Sequence, residues 1–305
     1  MPHTPHVVVS GATGLIGTKV VDALLDAGYD VIRLVRSAKT EPNPRVIDSL
    51  WDPSAGVIDS TVIDGAYGVI NLAGAGIGDR RWDRIVKRDI LASRVNATNT
   101  LVKAITSVPT PPQVLVSGSA TGYYGFPDQI VDETSSSGDT FLAGVCTAWE
   151  RAASGAMAAG TRVAYARTGL VMSPDGGALK KLLLPLRFGV GGPLGSGDQP
   201  WSWISLEDEV RALVFLLEHD KAWGPVNLVT PETVPHSDLV ARVASAIHRP
   251  HALKVPAFAL RIAVGEFAQE IVNGVHVRPT VLESLGFKYS HPRVDDLARW
   301  IAQQV

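Results

Sequence analysis

The stretch SGATGLIG, residues 10–17, decides how the chain is read. It follows the apolar run VVV (7–9) and opens a helical pattern that continues to residue 27. Its glycines stand at 11, 14 and 17. Without Cβ atoms the backbone can turn tightly after a strand and come close to a diphosphate. The first helical turn then presents unpaired N–H groups and the positive end of the helix dipole. A plain glycine-rich turn is the competing reading, and the strand before with the helix after favours the dinucleotide cradle. Gly11, Thr13, Gly14, Leu15, Ile16 and Gly17 are therefore expected to hold a cofactor.

Outward from that loop, short apolar runs alternate with helical patterns. DVIRLV (30–35), GVINLAG (68–74), QVLVSGS (113–119) and RVAYARTG (162–169) read as strands, with VIDSLWDP (46–53) a weaker one. Helices are predicted over 15–27, 81–105 and about 139–159. Strict rotation of strand and helix predicts an α/β fold, a doubly wound parallel sheet with right-handed crossovers and its ligands at the carboxyl ends of the strands.

Past residue 170 the texture changes. RFGVGGPLGSGDQPWSW (187–203) reads as a long loop. ISLEDEVRALVFLLEH (204–219) reads as a helix, with Ser205 as its N-cap and Asp208 three residues on. GPVNLVT (224–230) reads as another strand. This gives a nucleotide-binding domain over 1–170, with a helix and strand returning to it from about 204–230, and a smaller substrate lobe over 171–305. VPAFALRIAVGEFA (255–268) is predicted to be a packed amphipathic helix, too short to span a bilayer.

The totals exclude several function classes. Of 305 residues, 46% are apolar and 19% charged, and the net charge is -2 with no basic block, which argues against nucleic acid or an anionic membrane as the partner. A small-molecule substrate is expected instead. Cys146 is the lone cysteine, so no internal disulfide can form, and a reducing cytoplasm suits a soluble chain. The start MPHTPHVVVS lacks a cleavable apolar segment. Neither HTPH (3–6) nor HRPH (248–251) has carboxylates or thiols beside it, so no metal site is expected. No GxSxG nucleophile turn occurs.

Cofactor choice turns on LVRS (34–37). Arg36 and Ser37 stand where an acid would take the ribose hydroxyls of NAD, and they suit a 2′-phosphate, with Lys39 in support. NADP(H) is thus favoured over NAD(H); the alternative is that Arg36 is a solvated strand-end cation.

SGSATGYYG (117–125) places a serine ahead of two tyrosines at the end of the fifth strand. Such hydroxyls can polarise a carbonyl and pass it a proton, or can satisfy a turn. With SGATGLIG, NLAGAG (71–76) and SGSATGYYG in order on successive strands, the chain resembles the short-chain dehydrogenase/reductase superfamily, whose fold is the Rossmann sheet. More narrowly it is similar to the atypical extended "epimerase family protein" group. RRWDRIVKRDILASRV (80–95), FLAGVCTAWE (141–150), GSGDQPWSWISLEDEV (195–210) and VPAFALR…GEFAQE (255–270) carry that match.

The resemblance implies that Leu72, Ala73 and Gly74 line the cofactor, with Ser117 beside them, and that Ser119 is the catalytic serine. Active superfamily members also use a tyrosine whose pKa is lowered by a lysine four residues on. Here Tyr123 is followed at that distance by Pro127 and Tyr124 by Asp128. Aligning Glu150 with the glutamate that closes the superfamily pattern puts Leu142 and Cys146 at the tyrosine and lysine positions.

Ser119 with Tyr123 or Tyr124 is the remaining catalytic set. Arg81 and Trp82, after Arg80, are candidate substrate contacts, and Trp201 and Trp203 a candidate aromatic lid. Lys180 and Lys181 are placed on a solvated helix face. The leading reading is an NADP(H)-dependent oxidoreductase-like enzyme acting on a small carbonyl or hydroxyl substrate, sugar- or nucleotide-linked ones included. An NADP(H)-sensing regulator without turnover is the alternative, and a nucleotide-sugar epimerase the third.

Overall fold

The computed structural model describes residues 4–38, 42–189 and 191–304. The apolar run after the N-terminal tail forms β1 (His6–Ser10), with Val7, Val8 and Val9 all fully buried. A strand covered on both faces reads as such an unbroken run. α1 (Leu15–Asp26) follows, then β2 (Asp30–Val35), β3 (Val46–Asp52), β4 (Val57–Ile58), β5 (Gly68–Asn71), α2 (Arg84–Ser107) and β6 (Val114–Ala120). Next come α3 (Phe141–Ser154), β7 (Arg162–Thr168), β8 (Leu170–Met172), α4 (Gly177–Arg187), β9 (Pro200–Trp201), β10 (Trp203–Ser205), α5 (Leu206–Glu218) and β11 (Gly224–Leu228). β12 (Val234–Pro235), α6 (His236–Ala246), α7 (Ala257–Val264), α8 (Ala268–Val272), α9 (Thr280–Ser284) and α10 (Val294–Ala302) complete the chain.

The main sheet runs β11-β7-β6-β5-β1-β2-β3-β4. Every pairing is parallel except β3 with the short β4. Strand order reverses at β1, which lies between β2 and β5, so the crevice for a ligand opens beyond Ser10 and Asn71. α5 packs its Leu213, Leu216 and Leu217 with Val20 and Leu24 of α1 in one core cluster, and β11 extends the sheet next to β7. A second core gathers α4, α6 and α10 around Leu182, Leu239, Val243 and Leu297.

The weak strand over 46–53 forms as the seven-residue β3 near the sheet edge, where exposure of Ile47 and Leu50 blurs its pattern. The structure departs from the sequence expectations in two places. The helix expected to reach residue 159 stops at Ser154 and tightens into a 3₁₀ turn through Ala159, closed by left-handed Gly160. The packed amphipathic helix expected over 255–268 is instead the short α7, with no buried residue and with Phe258 66% and Ile262 71% exposed. Gly265, at φ 67°, ends it. No helix among the described residues is long and apolar enough to cross a membrane.

Ser205 caps α5 as expected, accepting from the Asp208 N–H. Asp208 itself is fully buried and accepts from the N–H groups of Ser290 (2.7 Å) and His291 (2.8 Å). It therefore ties the C-terminal segment onto α5.

Candidate dinucleotide crevice and hydroxyl network

The crevice is set by three glycines with different jobs. Gly11 has φ 70°, and a Cβ there would stand 2.6 Å from the Leu72 carbonyl, so β1 and β5 can converge only around glycine. A Cβ on Gly17 would strike the Gly11 carbonyl, which lets α1 pack against the turn that precedes it. Gly14 is exposed, and a Cβ on it would meet only the Gly11 carbonyl at 3.3 Å. It is the N-cap of α1 and offers no side chain to the first turn, whose N–H groups stay open to a diphosphate. This geometry fits the cradle expected from residues 10–17. Thr13 is exposed beside Gly14, and Leu15 and Ile16 are half-buried.

Beneath the rim, Ser10 donates to Asn71 Oδ1 at 2.7 Å and Asn71 donates to Thr98 Oγ1 at 2.9 Å. These buried bonds join β1, β5 and α2 below the half-buried Leu72 and Ala73 and the exposed Gly74. Ser117 is fully buried, its hydroxyl at 3.4 Å from the Gly118 carbonyl, so it supports the crevice from within β6 and does not line it.

On the other side of Gly11 a cleft of about 370 Å³ is lined by Ala12, Thr13, Arg33, Ser37, Asn43 and Asp48. Arg33 on β2 pairs with Asp48 on β3 at 2.7 Å. Arg36 and Ser37 are exposed at its edge, and Arg36 makes no ion pair among the described residues. Lys39, the expected third contributor, lies outside the described residues.

The hydroxyl stretch is the start of a buried network. Ser119 donates to Glu150 Oε1 at 2.7 Å. Arg167 grips the same carboxylate with two bonds, Nε to Oε1 at 2.8 Å and Nη2 to Oε2 at 2.9 Å. Its Nη1 donates to the Tyr124 hydroxyl at 2.9 Å, and that hydroxyl donates to Asn227 Oδ1 at 2.7 Å. Burial works against the Arg167 charge, yet the Glu150 bonds outweigh it and hold the guanidinium above its ordinary pKa.

Tyr124 is 2% exposed, and burial pushes its phenol up to about 12. It is therefore corrected from catalytic candidate to structural member of this network. Tyr123 is half-buried, its ring face 3.5 Å from the Arg167 guanidinium carbon. Its hydroxyl has no hydrogen-bond partner among the described residues. Ser119, at the carboxyl end of β6, is 5% exposed, and its hydroxyl donates to Glu150.

The helix behind this network carries neither tyrosine nor lysine. Leu142 sits against Gly122, and Cys146 is buried near Ser119 and Ala120. Burial first, and Glu150 second, push the Cys146 thiol up to about 11. The thiol is uncharged.

The aromatic candidates move inward. Trp203 is fully buried and Trp201 is 6% exposed, packed edge-on to His236 in the second core; neither forms a lid. Trp82 donates from Nε1 to the Ile77 carbonyl at 2.7 Å and packs on Phe141 and Phe267, so it anchors its loop and does not wall a pocket. Arg81 is exposed, with Nη1 3.4 Å from the Ile262 carbonyl. Lys181 donates to the Gly78 carbonyl at 2.9 Å, and Lys180 to the Asp175 carbonyl at 3.2 Å.

Sequence reasoning did not assign Arg94, Arg167 or Asn227, nor give Glu150 a part beyond alignment. Their partners lie on other elements, so spacing along the chain carries no sign of them.

Sheet order, switch-point crevice and glycine cradle define a doubly wound α/β protein of the dinucleotide-binding type. The chain belongs to the NAD dependent epimerase/dehydratase family, whose model matches residues 7–228, and residues 255–301 match a domain of unknown function, DUF1731. An epimerase family protein of Mycobacterium bovis is 39% identical over 292 residues, spanning 95% of each chain. The crystal structure of human epimerase family protein SDR39U1 with NADPH has a TM-score of 0.87 at 31% identity, covering 98% of this chain and 100% of that one. A nucleoside-diphosphate sugar epimerase from Corynebacterium glutamicum has a TM-score of 0.77 at 30% identity, covering 99% of this chain and 59% of that one.

Proposed function

We propose that this protein is an NADP(H)-dependent oxidoreductase-like enzyme acting on a small carbonyl or hydroxyl substrate. The observation that carries the reading is the glycine cradle, in which Gly11 and Gly17 admit no side chain while Gly14 faces outward with the first turn of α1 open behind it. Exposed Arg36 and Ser37 suit a 2′-phosphate, and the similar human protein is described with NADPH.

When bound, the nicotinamide supplies or accepts hydride. The chain itself positions the substrate oxygen. Glu150 accepts the hydrogen bond of the Ser119 hydroxyl, which leaves the serine oxygen's lone pairs as acceptors for a substrate hydroxyl. A carbonyl would receive its hydrogen bond from Tyr123, whose hydroxyl has no hydrogen-bond partner among the described residues. Arg167, against the Tyr123 ring, is the nearest cation to it that the contacts define. Epimerisation needs a proton removed and returned, and the absence of tyrosine and lysine from α3 weighs against it.

Calorimetry should give tighter binding of NADPH than of NADH. The loaded protein should oxidise NADPH with some member of a carbonyl panel, and Tyr123→Phe, which removes the donor to the carbonyl oxygen, should slow that turnover about 10²-fold or more. Equal affinity for the two coenzymes would remove Arg36 from the reading. Tight NADPH binding without turnover on any carbonyl would favour a sensor, a reading supported by the commitment of both the Ser119 and Tyr124 protons inside the protein.

A further inference from the structure

Arg94 stands on α2 against the loop that leaves β5. Its Nη1 donates to the carbonyls of Ala75 at 2.9 Å and Ile90 at 3.1 Å. A Cβ on Gly74 would lie 3.1 Å from its guanidinium carbon, and the Trp149 ring centroid is 5.1 Å from that carbon on the α3 side. The cation is thus clamped between the crevice loop and α3, where Cys146 supplies no lysine charge.

Its other edge is open. Among the described residues Arg94 forms no ion pair, and Nε and Nη2 have no hydrogen-bond partner. Neither nitrogen is sealed from solvent. Arg167 offers the contrast, because the same Nε–Nη2 edge is filled there by both oxygens of Glu150. Two parallel N–H groups match a carboxylate or phosphate, and a partly desolvated guanidinium without a counter-charge is costly to keep. Burial also pulls the Arg94 pKa below the ordinary arginine value.

We propose that Arg94 holds an oxyanion, a carboxylate or phosphate, through its Nε–Nη2 edge on the β5–β6 side of the crevice. The inference rests on the dinucleotide reading above. The oxyanion has two sources, the nicotinamide-side phosphate of the cofactor or an acidic group on the substrate.

The test titrates wild type, Arg94→Gln and Arg94→Lys with 2′,5′-ADP, which lacks the nicotinamide half, and with NADPH. Inorganic phosphate and malonate are then titrated into NADPH-saturated protein and followed by cofactor fluorescence. Glutamine keeps one donor for the Ala75 carbonyl, and lysine keeps the charge without the fork. Arg94→Gln is expected to bind 2′,5′-ADP as wild type does.

If the cofactor is the source, NADPH affinity falls about 10- to 100-fold, the size of a charge-assisted hydrogen bond. If the substrate is the source, NADPH affinity stands and binding of phosphate or malonate is lost. Lysine should restore part of either loss. A glutamine variant indistinguishable from wild type with every probe overturns the proposal. Loss of 2′,5′-ADP binding in both variants makes Arg94 a merely structural residue and also overturns it. Wild type that binds neither NADPH nor 2′,5′-ADP brings down the cofactor reading along with this one.

Discussion

Glu209, in the first turn of α5, accepts from the Thr168 hydroxyl at 2.8 Å, while its buried Oε2 has no partner among the described residues. Burial pushes its pKa up to about 8, so the folded protein keeps a proton that the unfolded chain, with a carboxyl near about 4.3, gives up. Between those values the unfolded state binds fewer protons. Stability therefore falls as pH rises through that window and levels off above about 8. Glu209→Gln keeps the acceptor for Thr168 and removes the titration. Its advantage over wild type in urea melts should grow from pH 5 to pH 8; parallel curves would exclude the protonated carboxyl.

The Glu150–Arg167 pair is matched by two parallel hydrogen bonds between guanidinium and carboxylate. Arg167→Met should cost about 3–5 kcal/mol in the same melts, since it leaves a buried carboxylate alone. A loss below about 1 kcal/mol would mean that water reaches Glu150 and the pair is only a surface contact.

At the scale of elements, the glycine loop separates folding from binding. Gly17→Ala drives a Cβ into the Gly11 carbonyl and should prevent α1 from seating, giving insoluble or unfolded protein. Gly14→Ala meets one atom at 3.3 Å and should fold with a melting temperature near wild type, yet lose about 10-fold or more of its NADPH affinity because the new methyl sits where a diphosphate must approach. Calorimetry and a thermal melt on the same sample separate the two effects.

This loop was legible in the sequence because its constraints are local: glycine spacing, a valine run before, a helical pattern after. So were β1, β2 and the capped α5. The hydroxyl network was not. Tyr124 and Asn227 are 103 positions apart and Ser119 and Glu150 are 31 apart, so which hydroxyl keeps its proton depends on how β6, α3, β7 and β11 pack. α7 misled for another reason. Its apolar positions have helical spacing, but spacing does not say whether a neighbour covers them.

Across the whole molecule, the loop between β5 and α2 gathers contacts from parts of the chain far apart in sequence. Trp82 packs on Phe141 of α3 and on Phe267, just before α8, so one side chain touches both α3 and the C-terminal segment. Polar ties surround it: Lys181 to the Gly78 carbonyl, Lys87 to Glu266, and Arg81 near the Ile262 carbonyl. Leu15, in the first turn of α1, lies against Gly176 at the start of α4, a second crossing close to the cofactor cradle. Apolar burial should dominate, because the Lys87 and Glu266 side chains remain 29% and 44% exposed and such pairs contribute about 0–1 kcal/mol. Trp82→Ala should then cost about 3–5 kcal/mol, whereas Lys87→Ala should change stability little. Hydrogen exchange gives the decisive pattern. In Trp82→Ala, protection should fall over residues 74–82 and 265–272 together, while β1, β5 and β6 exchange as in wild type. If only residues 74–82 loosen, Trp82 secures its own loop and residues 265–272 are held by other contacts.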